Sequence, residues 1–232
     1  MKCALVLSGH MRYYEKTFDS LKKFVLDPLQ PDIFIHTWNN RGNQIPNSGY
    51  TVERSEILDV DDVIARYQPK RIEVENFEEV LPTVRSDYRK VSVVPVANIV
   101  NMYRKIYLAD QLRLQEETEY DFVIKARPDI LFESEIPENE IANLEKTVYV
   151  PDTGNLQIND HVGFGNHTTM THYSSVYEKI DEYYDPEVSR VAQTTIKGCG
   201  VHAETLLNYH LRKSNLTIVE TKLRYHIPHK RS

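Results

Sequence analysis

The sequence has few cysteines and glycines and no long apolar run: its 232 residues include 2 Cys and 8 Gly. Two cysteines, Cys3 and Cys199, are too few for a disulfide scaffold, and no Cys-x-x-Cys pair indicates a zinc site. We predict two unpaired thiols, with a single disulfide as the alternative. No segment approaches the ~20 apolar residues of a membrane span, and the first apolar stretch, about five residues long, is too short for a signal peptide. We therefore expect a cytoplasmic protein without a transmembrane segment.

The chain also lacks an excess of positive charge. Its 28 Lys and Arg face 34 Asp and Glu, which gives a formal net charge of -6, and no long basic run precedes the last residues. Proteins that bind nucleic acid usually carry a basic patch, so we expect no nucleic-acid partner. A net negative protein can still bind a diphosphate where a metal ion or a few Arg and Lys side chains supply local positive charge.

Strands and helices alternate along the chain. Residues 2–8 and 31–38 are apolar runs typical of buried strands, and residues 14–26 have apolar positions at helical spacing, closed by Pro28. The longest apolar helical stripe extends over residues 96–117. The length suits one domain with a sizeable core. This pattern predicts an α/β fold: a single domain with a mostly parallel central sheet flanked by helices.

Several candidate binding residues follow the first two predicted strands. In open α/β sheets, ligands bind at the carboxyl ends of the strands. Gly9, directly after Ser8, lets backbone amides approach a nucleotide, and Arg12 can pair with a phosphate. The alternative for this loop is a tight turn with a surface arginine. Trp38 ends the second strand, where it either lines the nucleotide pocket or packs in the core.

The strongest single motif is Lys-Ala-Arg-Pro-Asp at residues 125–129, at the end of an apolar strand. Pro128 favours an extended conformation for Arg127, so the side chains of Arg127 and Asp129 tend to point the same way. A carboxylate at this position can hold Mg²⁺ or Mn²⁺, because these ions bind through one or two carboxylates and substrate phosphates. The alternative is an ion pair between the two side chains at the strand end.

Two acidic residues are candidates for ligand contact or acid–base chemistry. Asp160 precedes the run Val-Gly-Phe-Gly at residues 162–165, whose glycines permit close approach of a ligand. It can bind hydroxyl groups or act as a general base, and Glu204, on a predicted helix, is the rival base. The alternatives are loop capping for Asp160 and a solvent-exposed helix face for Glu204. The identity of the base stays open between them.

Two further patterns invite a metal interpretation. Asp59 and Asp61 form an Asp-x-Asp pair, but they lead into a short helical pattern, where acids favour the helix N-terminus. We interpret them as capping residues, with a metal site as the alternative. None of the 9 histidines forms a helical His-x-x-x-His pair with a nearby Glu, so we predict no zinc site.

Six segments together carry a family resemblance. In chain order they are LSGHMR at residues 7–12, DIFIHTW at 32–38, MYRKIY at 102–107, KARPDI at 125–130, NDHVGFG at 159–165 and HAETLL at 202–207. The ordered set resembles GT-A-type glycosyltransferases, including WavE-like lipopolysaccharide enzymes and related domains of large algal (chlorella) viruses. The resemblance implies a hexosyltransferase that moves a sugar from a nucleoside-diphosphate sugar, with UDP-sugar favoured, to a glycan or glycoconjugate acceptor. Inversion at the anomeric carbon is the preferred outcome, with retention as the alternative.

The resemblance also implies a metal-assisted site. Such enzymes hold Mn²⁺ or Mg²⁺ with an Asp-x-Asp motif, and in this chain Arg127 replaces the first Asp. Asp129 is then the main metal carboxylate, and a C-terminal histidine, His226 or His229, completes the metal shell. Arg127 can contact phosphate directly, which puts strict metal dependence in doubt. The residues implied in nucleotide binding are Ser8, Gly9, Arg12, Trp38 and Arg127.

On this resemblance the nucleotide-binding part covers about residues 1–132 and the acceptor part about residues 133–232. The protein is expected in the cytoplasm of a bacterium or of a virus-infected host cell, with contact to a membrane surface where the acceptor is held. Two other functions fit the composition. One is a nucleotidyltransferase acting on sugar phosphates, although the first turn lacks a Gly-rich loop with a Lys. The other is a non-catalytic carbohydrate-binding domain that uses the 15 Tyr for stacking.

Overall fold

The computed structural model describes residues 1–42, 56–80, 96–152, 158–185 and 202–228. The strands of this part are β1 (Cys3–Ser8), β2 (Asp32–Trp38), β3 (Arg71–Glu75), β4 (Phe122–Ala126), β5 (Leu131–Phe132), β6 (Thr147–Pro151), β7 (Val162–Gly165), β8 (Thr217–Thr221) and β9 (Tyr225–His226). The α-helices are α1 (Tyr14–Leu21), α2 (Asp27–Leu29), α3 (Val60–Tyr67), α4 (Val96–Leu114), α5 (His167–Ser174), α6 (Ile180–Tyr183) and α7 (Ala203–Lys213). A π-helical segment covers Lys22–Leu26, and 3₁₀ segments cover Glu138–Glu140 and Ser175–Lys179.

Seven of these strands form one sheet in the order β3-β2-β1-β4-β7-β6-β8. Every neighbouring pair is parallel except the two pairs that β7 makes, so six strands run in one direction and β7 runs in the other. The predicted fold class, α/β with a mostly parallel central sheet flanked by helices, is confirmed. Within the described ranges, no helix is both long enough and apolar enough to span a membrane.

The sheet separates two apolar cores because alternate residues of a strand face opposite sides. Val6 of β1 belongs to the core that contains α4, whereas Leu5 and Leu7 belong to the core on the side of α1. All residues of β1 are buried, as expected for a strand covered by helices on both faces. Each such Leu or Val stabilises the fold by about 1.5–3 kcal/mol relative to an exposed side chain. The two cores hold β1 and β4 in place from both faces of the sheet. The candidate site lies at the ends of these strands.

The first helical segment differs from the prediction. Pro28 was expected to close it, but the helical backbone continues through the π-helical segment and α2. Pro28 lies in the first turn of α2, a position where its missing N–H costs little. The segment ends instead at Gln30, which adopts a left-handed conformation with a φ of 44°.

The acidic pair at Asp59 and Asp61 has the structural role predicted for it. Asp59 is the N-cap of α3, and its carboxylate accepts a hydrogen bond of 3.0 Å from the backbone N–H of Asp62. Asp61 lies in the first turn of the same helix, where a negative charge favours the helix dipole. The capping interpretation is confirmed. The thiol of Cys3 is free and buried, and Cys199 lies outside the described residues.

Candidate functional site

The turn after β1 lies beside the end of β4, because the two strands pair with Leu7 opposite Ala126. Ser8 is buried, and Gly9 adopts a φ of 104°, which a side chain would disfavour. Apart from Gly9 and its two chain neighbours, no atom of the described residues lies within 4 Å of the position that a Cβ on Gly9 would take. The Gly9 N–H itself is used: it donates to the carbonyl oxygen of His36 at 3.2 Å. Gly9 therefore gives close access to its backbone but offers no free amide.

Arg127 and Asp129 form a two-point ion pair at the end of β4. The Nε and NH2 groups of Arg127 donate to Oδ1 and Oδ2 of Asp129, each at 2.8 Å. Asp129 is buried, with 3% of its side chain exposed. Burial disfavours its charged form, but the guanidiniums of Arg127 and Arg12 outweigh burial and hold the pKa of Asp129 below its ordinary value. The ion-pair alternative is what the structure shows.

Arg12 is a second guanidinium directed at the same carboxylate. Its NH1 group lies 3.9 Å from Oδ2 of Asp129, and 28% of its side chain is exposed. Its Nε atom is buried and has no hydrogen-bond partner among the residues that the structure describes. An unmet buried donor costs about 1–3 kcal/mol, and more when the group is charged. Because the carboxylate of Asp129 already accepts from Arg127, Arg12 retains donor capacity for an oxyanion.

The antiparallel strand β7 brings Asp160 to the same edge of the sheet. The residues that precede β7 meet the residues that follow β4, and the N–H of Arg127 donates to the carbonyl oxygen of His161 at 3.2 Å. Asp160 is buried, and its Oδ1 atom lies 3.5 Å from Nε2 of His161. From inside the sheet, the ammonium of Lys125 donates to the carbonyl oxygen of Asp160 at 2.5 Å.

Tyr225 of the C-terminal strand β9 contacts the turn that precedes β7. Tyr225 reaches the site because β9 pairs with β5, which follows Asp129 in the chain. The amide Nδ2 of Asn159 donates to the Tyr225 hydroxyl at 2.5 Å, and Nδ1 of His161 lies 2.9 Å from that hydroxyl. Burial lowers the pKa of His161 to about 4, so its ring is neutral at pH 7.

Glu204 belongs to the same electrostatic neighbourhood. It lies half-buried in the first turn of α7. Burial raises the pKa of its carboxyl, and the charge of Asp160 raises it further. Glu204 is therefore a better proton acceptor near neutral pH than an ordinary glutamate. The structure brings both candidate bases, Asp160 and Glu204, to one region without distinguishing their roles.

Trp38 takes the core alternative. It is 2% exposed, and the ammonium of Lys105 lies 3.4 Å from the centroid of its ring. Lys105 also donates to the carbonyl oxygen of Thr37 at 2.8 Å and to Oε2 of Glu75 at 2.7 Å. The ring is thus buried against Lys105 and is not exposed for stacking with a ligand.

The predicted metal ligands do not fit a metal site as they stand. Both carboxylate oxygens of Asp129 accept from Arg127, and a second guanidinium lies close by. Nδ1 of His226 lies 2.8 Å from the carboxylate of Glu133, and both side chains are exposed. His229 lies outside the described residues. Across the portion that the structure describes, no group of three or more His, Cys, Asp or Glu side chains could hold a metal ion.

Two guanidiniums at this edge share one carboxylate: Arg127 pairs with Asp129, and Arg12 lies 3.9 Å from it. Lys125 also interacts with Asp129 and with Asp160. The neighbouring His161 is neutral, and Glu204 is a further carboxylate near Asp160. Guanidiniums that share one carboxylate retain donor capacity for an anionic ligand. We call Arg12, Lys125, Arg127, Asp129 and Asp160 the cationic cluster.

The sequence analysis included Lys125 in the motif at residues 125–129 without giving it a role of its own, and it gave no role in the site to His161, Tyr225 or Lys105. Lys125 had a detectable signal, since it is the one charged residue in the otherwise apolar strand Phe122–Ala126. The others carried none, because their contacts join segments that lie far apart in the chain.

No family model matches the sequence, and no curated protein matches it. Among solved structures, the chain is similar to the galactosyltransferase LgtC in complex with donor and acceptor sugar analogues, with a TM-score of 0.45 and 11% identity over 90% of this chain and 70% of that one. It is also similar to the apo-form glycosyltransferase GlyE of Streptococcus pneumoniae TIGR4, with a TM-score of 0.46 and 10% identity over 94% of this chain and 45% of that one. The chain thus spans less than half of GlyE, and likenesses at this level assign no function.

Proposed function

We propose that this chain is a glycosyltransferase that moves a sugar from a nucleoside-diphosphate sugar, with UDP-sugar favoured, to a glycan acceptor. The observation that carries the proposal is the guanidinium of Arg12, which lies 3.9 Å from Asp129 with 28% of the side chain exposed and, among the described residues, has no acceptor for its Nε. A diphosphate offers the planar guanidinium the oxygen acceptors that it lacks. The position of Arg12 at the carboxyl edge of a parallel sheet, beside the open face of Gly9, suits a nucleotide ligand.

The cationic cluster would stabilise the departing diphosphate. In the transfer, the acceptor oxygen bonds to the anomeric carbon while the bond from that carbon to the diphosphate oxygen breaks. Negative charge develops on the leaving oxygen, and preorganised guanidiniums near that oxygen lower the barrier. The acceptor proton passes to a carboxylate, and the products are the glycosylated acceptor and a nucleoside diphosphate. Direct displacement of this kind inverts the anomeric centre.

Asp160 and Glu204 are the candidates for the proton acceptor. Asp160 is fixed by the Lys125 contact to its backbone, and the raised pKa of Glu204 favours proton uptake near neutral pH. Either carboxylate can also bind hydroxyls of the donor sugar. Comparison of the two variants Asp160→Asn and Glu204→Gln identifies which of them is the base.

Assistance by Mn²⁺ or Mg²⁺ stays a prediction. Asp129 would hold such a cation, which would add charge neutralisation to that of the arginines. Since Asp129 is occupied by Arg127, no step proposed above passes through a metal. The guanidiniums of Arg12 and Arg127 supply part of the same charge.

The test is donor turnover by matched arginine variants. The wild type, incubated with a panel of nucleotide-sugars with EDTA or Mn²⁺, is expected to release a nucleoside diphosphate and free sugar slowly, as measured by chromatography. Arg12→Met should lower this rate at least tenfold. Arg66→Met is the control, because Arg66 pairs with Asp62 on α3 outside the cationic cluster.

The other outcomes identify other functions. Pyrophosphate release from a nucleoside triphosphate and a sugar phosphate would favour a nucleotidyltransferase. Binding of glycans without any nucleotide binding would favour a carbohydrate-binding domain. Equal donor turnover by wild type and Arg12→Met would contradict the role given to Arg12.

A further inference from the structure

Lys125 is a buried cation that makes no direct ion pair with a carboxylate among the described residues. It lies in β4 with 1% of its surface exposed, two residues after Val123 and therefore on the same face of the sheet. Its ammonium donates to the carbonyl oxygens of Asp160 at 2.5 Å and His161 at 3.3 Å. In the part of the chain that the structure covers, no Asp or Glu oxygen is recorded within 4.0 Å of its Nζ.

Burial of such a group is costly, and packing alone does not explain it. An ammonium taken out of water without a paired anion is strongly disfavoured, and a methionine would fill similar space without that cost. Burial lowers the pKa of Lys125 to about 8, against the opposing effect of the Asp160 charge. The charge is therefore retained at a cost in stability.

Lys105 provides the comparison within the same protein. It is equally buried and also donates to a backbone carbonyl, but its charge is compensated by Glu75 at 2.7 Å. Lys105 links the ends of β2 and β3, and Glu75 neutralises its charge. Lys125 links β4 to the residues before β7, and its charge interacts with Asp160, Arg127 and Asp129.

We propose that Lys125 is a positioning residue of the sugar transfer: it fixes the turn that carries Asp160 and adds positive charge behind the guanidiniums that hold the diphosphate. This inference rests on the proposed function and deepens it. It predicts that removal of the ammonium weakens nucleotide binding through lost charge and lowers kcat through a displaced Asp160.

The titratable groups around Lys125 determine which charges change in the same pH range. The charged or titratable groups around Lys125 and its partner Asp160 are Arg127, Asp129, His161, Glu204, Tyr103, Tyr173 and Tyr225. The pKa of His161 is lowered to about 4, and burial raises the pKa values of the tyrosines above their ordinary range. The groups that lose charge near pH 8 are therefore Lys125 and the more distant Lys105, whose pKa is also lowered to about 8.

The experiment measures the Kd of UDP by calorimetry from pH 6.5 to 9.5 in EDTA. If bound diphosphate raises the pKa of Lys125 by about one unit, the wild-type affinity falls about tenfold across this range. Lys125→Met should bind UDP about tenfold more weakly at pH 7 and lose the alkaline fall. Lys125→Arg should keep the affinity and remove the fall, because a guanidinium stays protonated. Lys105→Met should keep the fall, which separates the two lysines.

Donor turnover completes the test. Lys125→Met should lower kcat beyond its effect on KM, and Lys125→Arg should restore part of it. The proposal is overturned if wild-type binding does not change with pH, or if Lys125→Met matches the wild type in affinity and pH profile. Should Lys125→Met fail to fold, the profiles of the wild type, Lys125→Arg and Lys105→Met decide. If the wild type binds no nucleoside diphosphate at any pH, the proposed function fails and this role fails with it.

Discussion

Asp129→Asn separates the guanidinium interpretation of the site from the metal interpretation. The substitution keeps the size of the side chain but removes the charge that Arg127 and Arg12 share. Loss of one partner from a buried ion pair costs about 3–5 kcal/mol. We expect the lower end, about 3 kcal/mol, because 27% of the Arg127 side chain is exposed. For a chain of this length, that loss lowers Tm by roughly 6–12 °C.

Nucleotide binding should respond in the opposite direction. Without the Asp129 charge, Arg127 and Arg12 are free to pair with a diphosphate, so the affinity for UDP in EDTA should be retained or increased. If Asp129 instead holds a metal, the wild type should need Mn²⁺ to bind UDP, and the variant should lose that binding. Calorimetric titration of UDP with EDTA or Mn²⁺ distinguishes these results.

Asp110→Asn is a matched control. Asp110 and Arg113 form another buried ion pair, on α4, with side chains that are 1% and 0% exposed. This variant should lose at least as much stability, about 3–5 kcal/mol because both side chains are buried, without any change in UDP affinity. A wild type that binds UDP only with Mn²⁺, together with an Asp129→Asn variant that binds none, would refute the guanidinium interpretation.

The stability difference between the wild type and Asp129→Asn should also depend on pH in a defined direction. The pKa of Asp129 is held below its ordinary value in the folded protein, so its contribution to stability is fully present above the unfolded value of about 4. That contribution is lost as the pH falls through the lower folded value. Wild type and variant should therefore differ most in Tm near neutral pH and converge in acid, as followed by circular dichroism.

Three further predictions concern other positions. Glu204→Gln and Asp160→Asn should be compared by kcat: the variant of the general base should lose at least about 100-fold, and equal small losses would exclude both. Asp59→Ala should cost about 1 kcal/mol of stability through the lost N-cap, with donor turnover unchanged, and an inactive variant would place the acidic pair in the site. Gly163→Ala should destabilise the protein by about 1–3 kcal/mol in urea unfolding, since its Cβ would lie 2.8 Å from the ring of Tyr173, and wild-type stability would show that the ring moves freely.

The sequence was sufficient for the fold class because the central strands β1, β2 and β4 are buried and mainly apolar runs. β1 and β2 are buried along almost their whole length, and the helix that crosses between them has the expected spacing. The direction of β7 could not be predicted, because a strand of four residues carries no sequence signal of its orientation. The same limit applies to the end of the first helix, where π-helical geometry carries the backbone past Pro28.

The candidate site was predictable where its contacts are local. Arg127 and Asp129 are two residues apart on an extended chain, so the sequence already offered their ion pair as an alternative to a metal. Contacts between distant segments were out of reach. Lys125 meets the carbonyl of Asp160 35 positions later, and Tyr225 meets His161 across 64 positions. Such pairs depend on sheet order, which the residues themselves do not encode locally.

The reversed direction of β7 has a consequence for how this protein can tolerate changes in length. Because this strand enters the sheet at the edge where the cationic cluster lies, its first residue is tied in register to Ala126 and its last to Val123. An inserted or deleted residue just before Val162 would pull Asp160 out of place or slide the strand by one position, which would turn Gly163 away from Tyr173. The same change after Gly165 falls at the opposite edge and leaves the edge with the cationic cluster unchanged. Natural or engineered length variants should therefore accumulate on one side of this strand only.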